Sequence, residues 1–421
     1  MPSRFARLLV LAVLMALAGT SSARQAEKKT ERRFDGKTIA EWVTQLGSSE
    51  ADARRTAAYA LAKAGPAASS ATKSLVAAID DKDANVRFYA IQAVGRIGVP
   101  AKSAIPSLVK AIRTESGELR KVSAAAVVQM GKDAGPALVE ALDDDSFRVR
   151  RVIAQALIMV KADPKDVLES LVKRIETDID PDVCFLASIA LGKMGKPALP
   201  AIVKALGSPK ADLRYHAVVA ARELRAEAAP ALQALVGCLK DADSEIRSGA
   251  ASALARVGEP AVKPLTEALA AKDADTRRFA AHALSEIGPE AKSAVDALLV
   301  VMKEKTPATR QAATVALARI GKPAVPALVS VLKEKDEELR ILGVIALGMI
   351  GKDAAEAIGP IAAALKDESS EVRVYAARSL ERLGPVAKKA IKELEAALKD
   401  EAPTVREAAR KALGKIDPAR E

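Results

Sequence analysis

One phrase recurs twelve times in this chain. It reads "DADSEIRSGAASALARVG" from Asp241 to Gly258. Counted from Arg247, an apolar residue stands at −1, alanine at +3 and +6, leucine at +7, valine at +10 and glycine at +11. The same frame is centred on Arg54, Arg87, Arg120, Arg150, Arg214, Arg277, Arg310, Arg340, Arg373 and Arg406, and one copy, "DVCFLASIALGKMG", has Cys184 in place of the arginine. Successive centres lie 30 to 34 residues apart. A fixed period of that size specifies a stack of small supersecondary units, each burying its apolar face on its neighbours.

The spacing of apolar positions is that of a helix stripe, not of a strand. Nine copies carry an N-cap type at −4: Asp83, Ser116, Ser146, Asp180, Asp243, Asp273, Thr306, Asp336 and Ser369. Pro181, Pro307 and Pro403 follow at the first helical position, and glycine at +11 closes nine copies. The pattern predicts a trailing helix from −3 to +10. A second apolar segment before each cap, such as "SAIPSLVKAI" or "PAVPALVSVL", predicts a leading helix, with Pro106, Pro200 and Pro326 near its start. The expectation is twelve αα-hairpins in an all-α solenoid. At ~10 Å per helix layer the stack is roughly 100 Å long and superhelical.

Composition agrees. Hydrophobic residues make up 50% but aromatics only 3%, with alanine the commonest among them, which favours close helix contacts over strands. The +6 column is alanine in eleven copies and Ser379 in the other.

The pattern "D…VR..A..AL..IG" followed by "A.PAL...L.D" resembles HEAT repeats, and most closely the short HEAT-like repeats of the phycobilin lyase type. The resemblance covers Thr38 to Asp417. The opening "FDGKTIAEWVTQL" is also similar to the start of exported bacterial HEAT-repeat proteins. The resemblance implies that the leading helices line a convex side and the trailing helices a concave one.

The arginine column admits two readings. It could be a ladder for a polyanion, which a sequence pI of about 9.5 favours. Alternatively it is a set of struts. An arginine in the first turn meets the positive end of the helix dipole, so something recurrent must compensate. An acid does stand at −6 in eight copies: Asp81, Asp144, Asp178, Asp241, Glu304, Glu334, Asp367 and Asp400. The resembled families show such ladders, and the strut reading is preferred. A second basic column at +9 (Lys63, Arg96, Lys193, Arg256, Arg319, Arg382, Lys415) suits the negative end of the dipole.

Seven aromatics cluster at +1, +2 or +5: Tyr59, Phe88, Tyr89, Phe185, Tyr215, Phe279 and Tyr375. They either fill gaps between alanine layers or join arginines as binding anchors. The candidate binding residues are Arg55, Tyr59, Phe88 and Gln92 in the first two hairpins, Phe185 and Tyr215 further on, and Arg278.

Catalytic chemistry is not expected. His216 and His282 are the only histidines, and neither starts a His–Glu dipeptide of the kind that holds metal in the HEAT-like hydroxylases. Cys and His are too few and scattered for a metal site. "GKT" at 36–38 lacks the first glycine and the preceding strand of a phosphate loop. No cofactor is expected.

Residues 1–23 predict a secretory signal. Arg4 and Arg7 precede twelve uncharged residues, Leu8 to Gly19, and Ser21 and Ala23 suit a cleavage site. Its removal takes the net charge from +11 to +9, since +11 − 2 = +9. The expectation is a polar linker over 24–36, a repeat domain over 37–421, a periplasmic or extracellular location, and no stable membrane insertion after cleavage. Cys184 and Cys238 fall in hairpins five and seven, too far apart in a stack to pair, and are expected as buried free thiols.

A long repeat surface without catalytic residues points to a non-enzymatic scaffold for a protein or peptide partner, with nucleic acid not expected. The alternatives are a lyase-like enzyme or chaperone-type factor of the same repeat class, or a polyanion binder using the basic columns.

Overall fold

The computed structural model describes residues 32–418, so the signal expected over 1–23 lies outside the described residues. These residues form twelve αα-hairpins, the first pairing Ile39–Leu46 with Ala51–Ala64 and the last Ile391–Ala397 with Pro403–Ile416. The only β-type pairing among them is an isolated bridge between Phe34 and Lys37. The all-α solenoid expected from the period is what the chain forms. It divides into two compact units after Met130, with hairpins one to three in the first and four to twelve in the second.

The trailing helices run where the caps place them, for example Ala84–Ile97 around Arg87 and Glu337–Ile350 around Arg340. All nine predicted cap residues occupy the N-cap. Six of them (Asp83, Asp180, Asp243, Asp273, Asp336 and Ser369) accept a backbone N–H through the side chain. Ser116, Ser146 and Thr306 make no such bond. The leading helices are short, mostly seven or eight residues, and ten of them follow a 3₁₀ turn that periodicity did not reveal. The exceptions are the first, Ile39–Leu46, and Pro164–Thr177, which has 14 residues.

At +11 the backbone turns with positive φ, at Gly258 for instance with φ 80°. Two copies without glycine are forced into the same half of conformational space: Lys161 at φ 50° and Arg225 at φ 55°. A side chain is disfavoured there.

The alanine column has a packing cause. Residue +6 of one trailing helix sits against residue +8 of the helix before it. A Cβ added to Gly95 would lie 3.0 Å from Cβ of Ala126, one on Gly348 2.9 Å from Cβ of Ser379, and one on Gly192 2.4 Å from the Ala220 carbonyl oxygen. Small side chains at +6 permit this approach. Within the second unit successive trailing helices pack along the whole row, whereas successive leading helices meet at few residues.

The N-terminal end is closed by part of the stretch expected as a linker. The Trp42 indole is buried, and its Nε1 donates to the Phe34 carbonyl at 2.7 Å. Thr38 and Glu41 form a reciprocal capping box on the first helix, and Lys63 pairs with Asp35.

Candidate binding surface

The arginine column lies at the seams between hairpins. The Arg54 guanidinium donates to both oxygens of Asp81 in the next hairpin, at 2.7 and 3.0 Å. Its remaining terminal nitrogen donates to the Ser48 and Ser49 carbonyls, in the turn of its own hairpin. Arg150 does the same with Asp178 and the carbonyls of Asp144 and Asp145. Arg214 pairs with Asp241, Arg277 with Glu304, Arg340 with Asp367 and Arg373 with Asp400. In each the acid is the −6 residue of the following copy. Each guanidinium thus ties a turn that lacks helical bonding to the next layer, with the planar bidentate geometry that arginine supplies and lysine does not.

Five copies vary the scheme. Arg87 pairs with Glu115, Arg247 with Asp275, and Arg310 with Asp336 and Glu338. Arg120 donates to the Ile112 carbonyl of its own hairpin. Arg406, in the last hairpin, bonds the carbonyls of Asp400 and Glu401. The tie is missing between hairpins five and six, and both halves are missing together. Cys184 stands at the arginine position, and its acid partner would be residue 208, which is Ser208. Neither a buried acid nor a buried arginine is left stranded there.

The side chains of Arg54, Arg150, Arg310, Arg340 and Arg373 are all under 10% exposed. Their charge is already used by the pairs, and in Arg54, Arg150, Arg340 and Arg373 the hydrogen bond to the facing acid, first of all, raises the pKa further.

The neighbouring +1, +2 and +5 positions differ. In the first unit Tyr59 is 45% exposed and meets Tyr89 edge-on at 5.2 Å, and Tyr89 meets Phe88 at 5.4 Å. The Lys63 ammonium lies over the Tyr59 ring. Arg55 is half-exposed, donating to Asp83 and Asp52. Gln92 is half-buried one turn beyond Phe88. The sequence placed Tyr59 and Phe88 in one patch; the structure adds Tyr89 as the ring that joins them.

In the second unit, Arg278 stacks over Phe279 at 4.3 Å, with Arg247 on the same ring at 5.6 Å. These two residues share a shallow hollow of about 460 Å³ with Ser248, His282 and Gln311. Its lining alternates between three successive trailing helices, so no single repeat revealed it. Phe185 and Tyr215 are both half-buried. Tyr215 packs edge-on against His216 at 5.3 Å, and among the described residues no ring contact joins it to Phe185.

Cys184 and Cys238 are buried and free, and burial pushes both thiols up, Cys238 to about 11. Neither is a thiolate at neutral pH. No group of three or more His, Cys, Asp or Glu side chains suited to a metal ion occurs among the described residues. No helix among them is long and apolar enough to cross a membrane.

A stack of antiparallel helix pairs with a tied seam and a free outer margin on its trailing helices defines an α-solenoid. Models of HEAT repeats match the sequence in nine overlapping segments, from 39–129 through to 358–421. The chain belongs to the HEAT-repeat family. Among solved structures it is similar to the karyopherin Kap121p bound to the extreme C-terminus of the protein phosphatase Cdc14p. That likeness has a TM-score of 0.54 at 13% identity and covers 99% of this chain and 53% of that one. Kap121p bound to Pho4p gives 0.54 at 14%, covering 94% and 51%. Kap121p bound to Nup53p gives 0.53 at 16%, covering 90% and 48%. The chain spans about half the length of these karyopherins, and at such identities the likeness is one of fold. No curated protein matches the sequence.

Proposed function

We propose that this chain is a non-enzymatic binding scaffold that holds a protein or peptide segment on the surface of its trailing helices. One observation carries the reading. The arginines of the repeat are sheathed in seam contacts, while the aromatic–arginine groups beside them, Tyr59–Tyr89–Arg55 and Phe279–Arg278, stay half-exposed on the same helices. Aromatic and arginine side chains with part of their surface free are the usual anchors of a protein interface. The karyopherin structures of similar fold include complexes with Pho4p, Nup53p and a Cdc14p C-terminus, which fits a fold able to hold polypeptide. The pairing of the arginine column argues against its use for a polyanion. The sequence pattern of residues 1–23 supports export, and on that reading the partner is met in the periplasm or outside the cell.

The test is site-specific photo-crosslinking in the native compartment. A crosslinker at Gln92 or Gln311, on trailing helices, is expected to capture the same protein. One at Lys73 or Ser330, on leading helices, is expected to capture none. Capture from the leading side alone, or of nucleic acid with steep loss in salt, contradicts the reading.

A further inference from the structure

The seam where both halves of the tie are missing is also where a cleft opens. Between hairpins five and six a cleft of about 870 Å³ lies between the leading helices Pro164–Thr177 and Leu199–Leu206. Its walls are apolar, built from Leu168, Val172, Ile175, Ile202 and Leu213. Ser208 and Pro209 form part of its edge, in a turn whose carbonyls Arg214 of the same hairpin holds but which lacks the tie from the position of Cys184. At the other end of the same two trailing helices, Gly192 is pressed onto Ala220. The two hairpins are therefore close at one end and untied at the other.

One polar group of the lining has no counterpart. His216 is 8% exposed, and its Nδ1 has no hydrogen-bond partner. Such a buried atom is rare in a folded chain and calls for a reason. Burial lowers the pKa of this imidazole, against a weaker opposing pull from Asp212, so the ring is neutral at pH 7. A neutral imidazole offers one donor and one acceptor and does not select a charge. The charged residues of the lining, Glu169, Glu176, Lys173 and Lys204, balance in sign. A volume of this size suits a small organic molecule.

We propose that the cleft between hairpins five and six binds an uncharged amphiphile, an apolar ring system or chain bearing one hydroxyl or amide, whose polar group completes the hydrogen bonding of His216. The site lies on the leading-helix side and is independent of the trailing-helix surface assigned to a protein partner.

The probes are 2-naphthol and naphthalene, which differ by one hydroxyl. Titration calorimetry of the full chain is expected to show 2-naphthol binding at least about tenfold more tightly than naphthalene, the discrimination given by a site polar group that only one ligand satisfies. Imidazole NMR, with the two histidines assigned through His282→Gln, is expected to show His216 shifting on titration and His282 still. His216→Leu is expected to abolish the preference. Ala205→Trp, which fills the cleft from its wall, is expected to abolish both interactions at an unchanged helical circular dichroism spectrum. Equal affinity for the two probes, an unmoved His216 resonance, or a preference that survives His216→Leu would overturn the proposal. So would the absence of binding by either probe, which would leave the cleft to a polypeptide.

Discussion

Arg340 and Asp367 lie on successive hairpins, 27 residues apart, and meet through two hydrogen bonds of 2.8 and 2.9 Å. The third nitrogen of the same guanidinium holds the carbonyls of Glu334 and Lys335. Removing one partner leaves the other desolvated, which is more costly than removing both. Arg340→Ala is expected to destabilise the chain by about 2–4 kcal/mol, and the pair Arg340→Met with Asp367→Leu by clearly less. Urea denaturation of Arg340→Met, Asp367→Leu and the double variant measures the coupling. Additive losses would mean that the tie carries no interaction energy.

The acids of the ladder set an acid limit on stability. Asp81 and Asp241 are held below the usual carboxylate range, first by the arginine hydrogen bond, and Asp83 is brought to about 2, first by Arg55. With the folded pKa lowered, the unfolded chain binds more protons in acid, so stability rises with pH in that range. The contribution is complete above the unfolded value of about 3.9 and is lost as pH falls toward 2. His216 has a lowered pKa as well, through burial, and adds a smaller loss that begins below about 6.5. The urea midpoint is expected to be flat near neutrality, to sag below pH 6.5 and to collapse below pH 4. In His216→Leu the first step should vanish while the second remains.

Close helix approach sets a third expectation. A methyl group on Gly192 would stand 2.4 Å from the Ala220 carbonyl oxygen and 2.6 Å from Cβ of Glu223. Gly192→Ala gains helix propensity of about 1 kcal/mol, yet overpacking of this kind costs about 1–3 kcal/mol. The net effect expected is a lower melting temperature. Ala for Gly at 237, where no atom lies within 4 Å, should instead be neutral or stabilising, and calorimetry of the two variants decides the matter.

The fold was legible in the sequence because the repeat supplies its own controls. A position that is alanine eleven times, a glycine stop nine times and an acid travelling with an arginine each reduce to one packing reason. The direction of the arginine pairing was not legible. The −6 acid serves the arginine of the preceding hairpin, and a linear spacing read within one copy does not distinguish that from a local pair. The site was read less well. Tyr59 and Phe88 were chosen as candidates by position, whereas Tyr89 joins them only in space, and the Phe279 hollow draws on three helices. His216 was weighed only as a metal ligand, since sequence does not show that its Nδ1 lacks a partner.

Arg225 is held at φ 55°, ψ −130°, where nine other copies place glycine. Backbone strain of this type costs about 1–3 kcal/mol, whereas glycine gains unfolded-state entropy. Arg225→Gly is expected to stabilise the chain by about 1 kcal/mol, raising the urea midpoint without changing the slope. Arg225→Ala keeps the strain and serves as the control: if it stabilises equally, the side chain rather than the backbone is at fault.

The missing tie can be restored. In Cys184→Arg with Ser208→Asp, the new guanidinium is positioned to reach the Asp178 and Ile179 carbonyls of its own turn and a carboxylate at 208, as its counterparts do in other seams. Each change alone gives less, because one leaves an arginine beside Arg174 without a new acid and the other leaves an acid without an arginine. The double variant is expected to exceed the sum of the singles by about 1 kcal/mol, the scale of a hydrogen-bonded pair near the surface. The same tie draws the turn at Ser208 toward hairpin five and narrows the cleft, so 2-naphthol affinity should fall as stability rises. A rise in stability with affinity unchanged would mean that the cleft is shaped by the long helix Pro164–Thr177 and not by the absent strut.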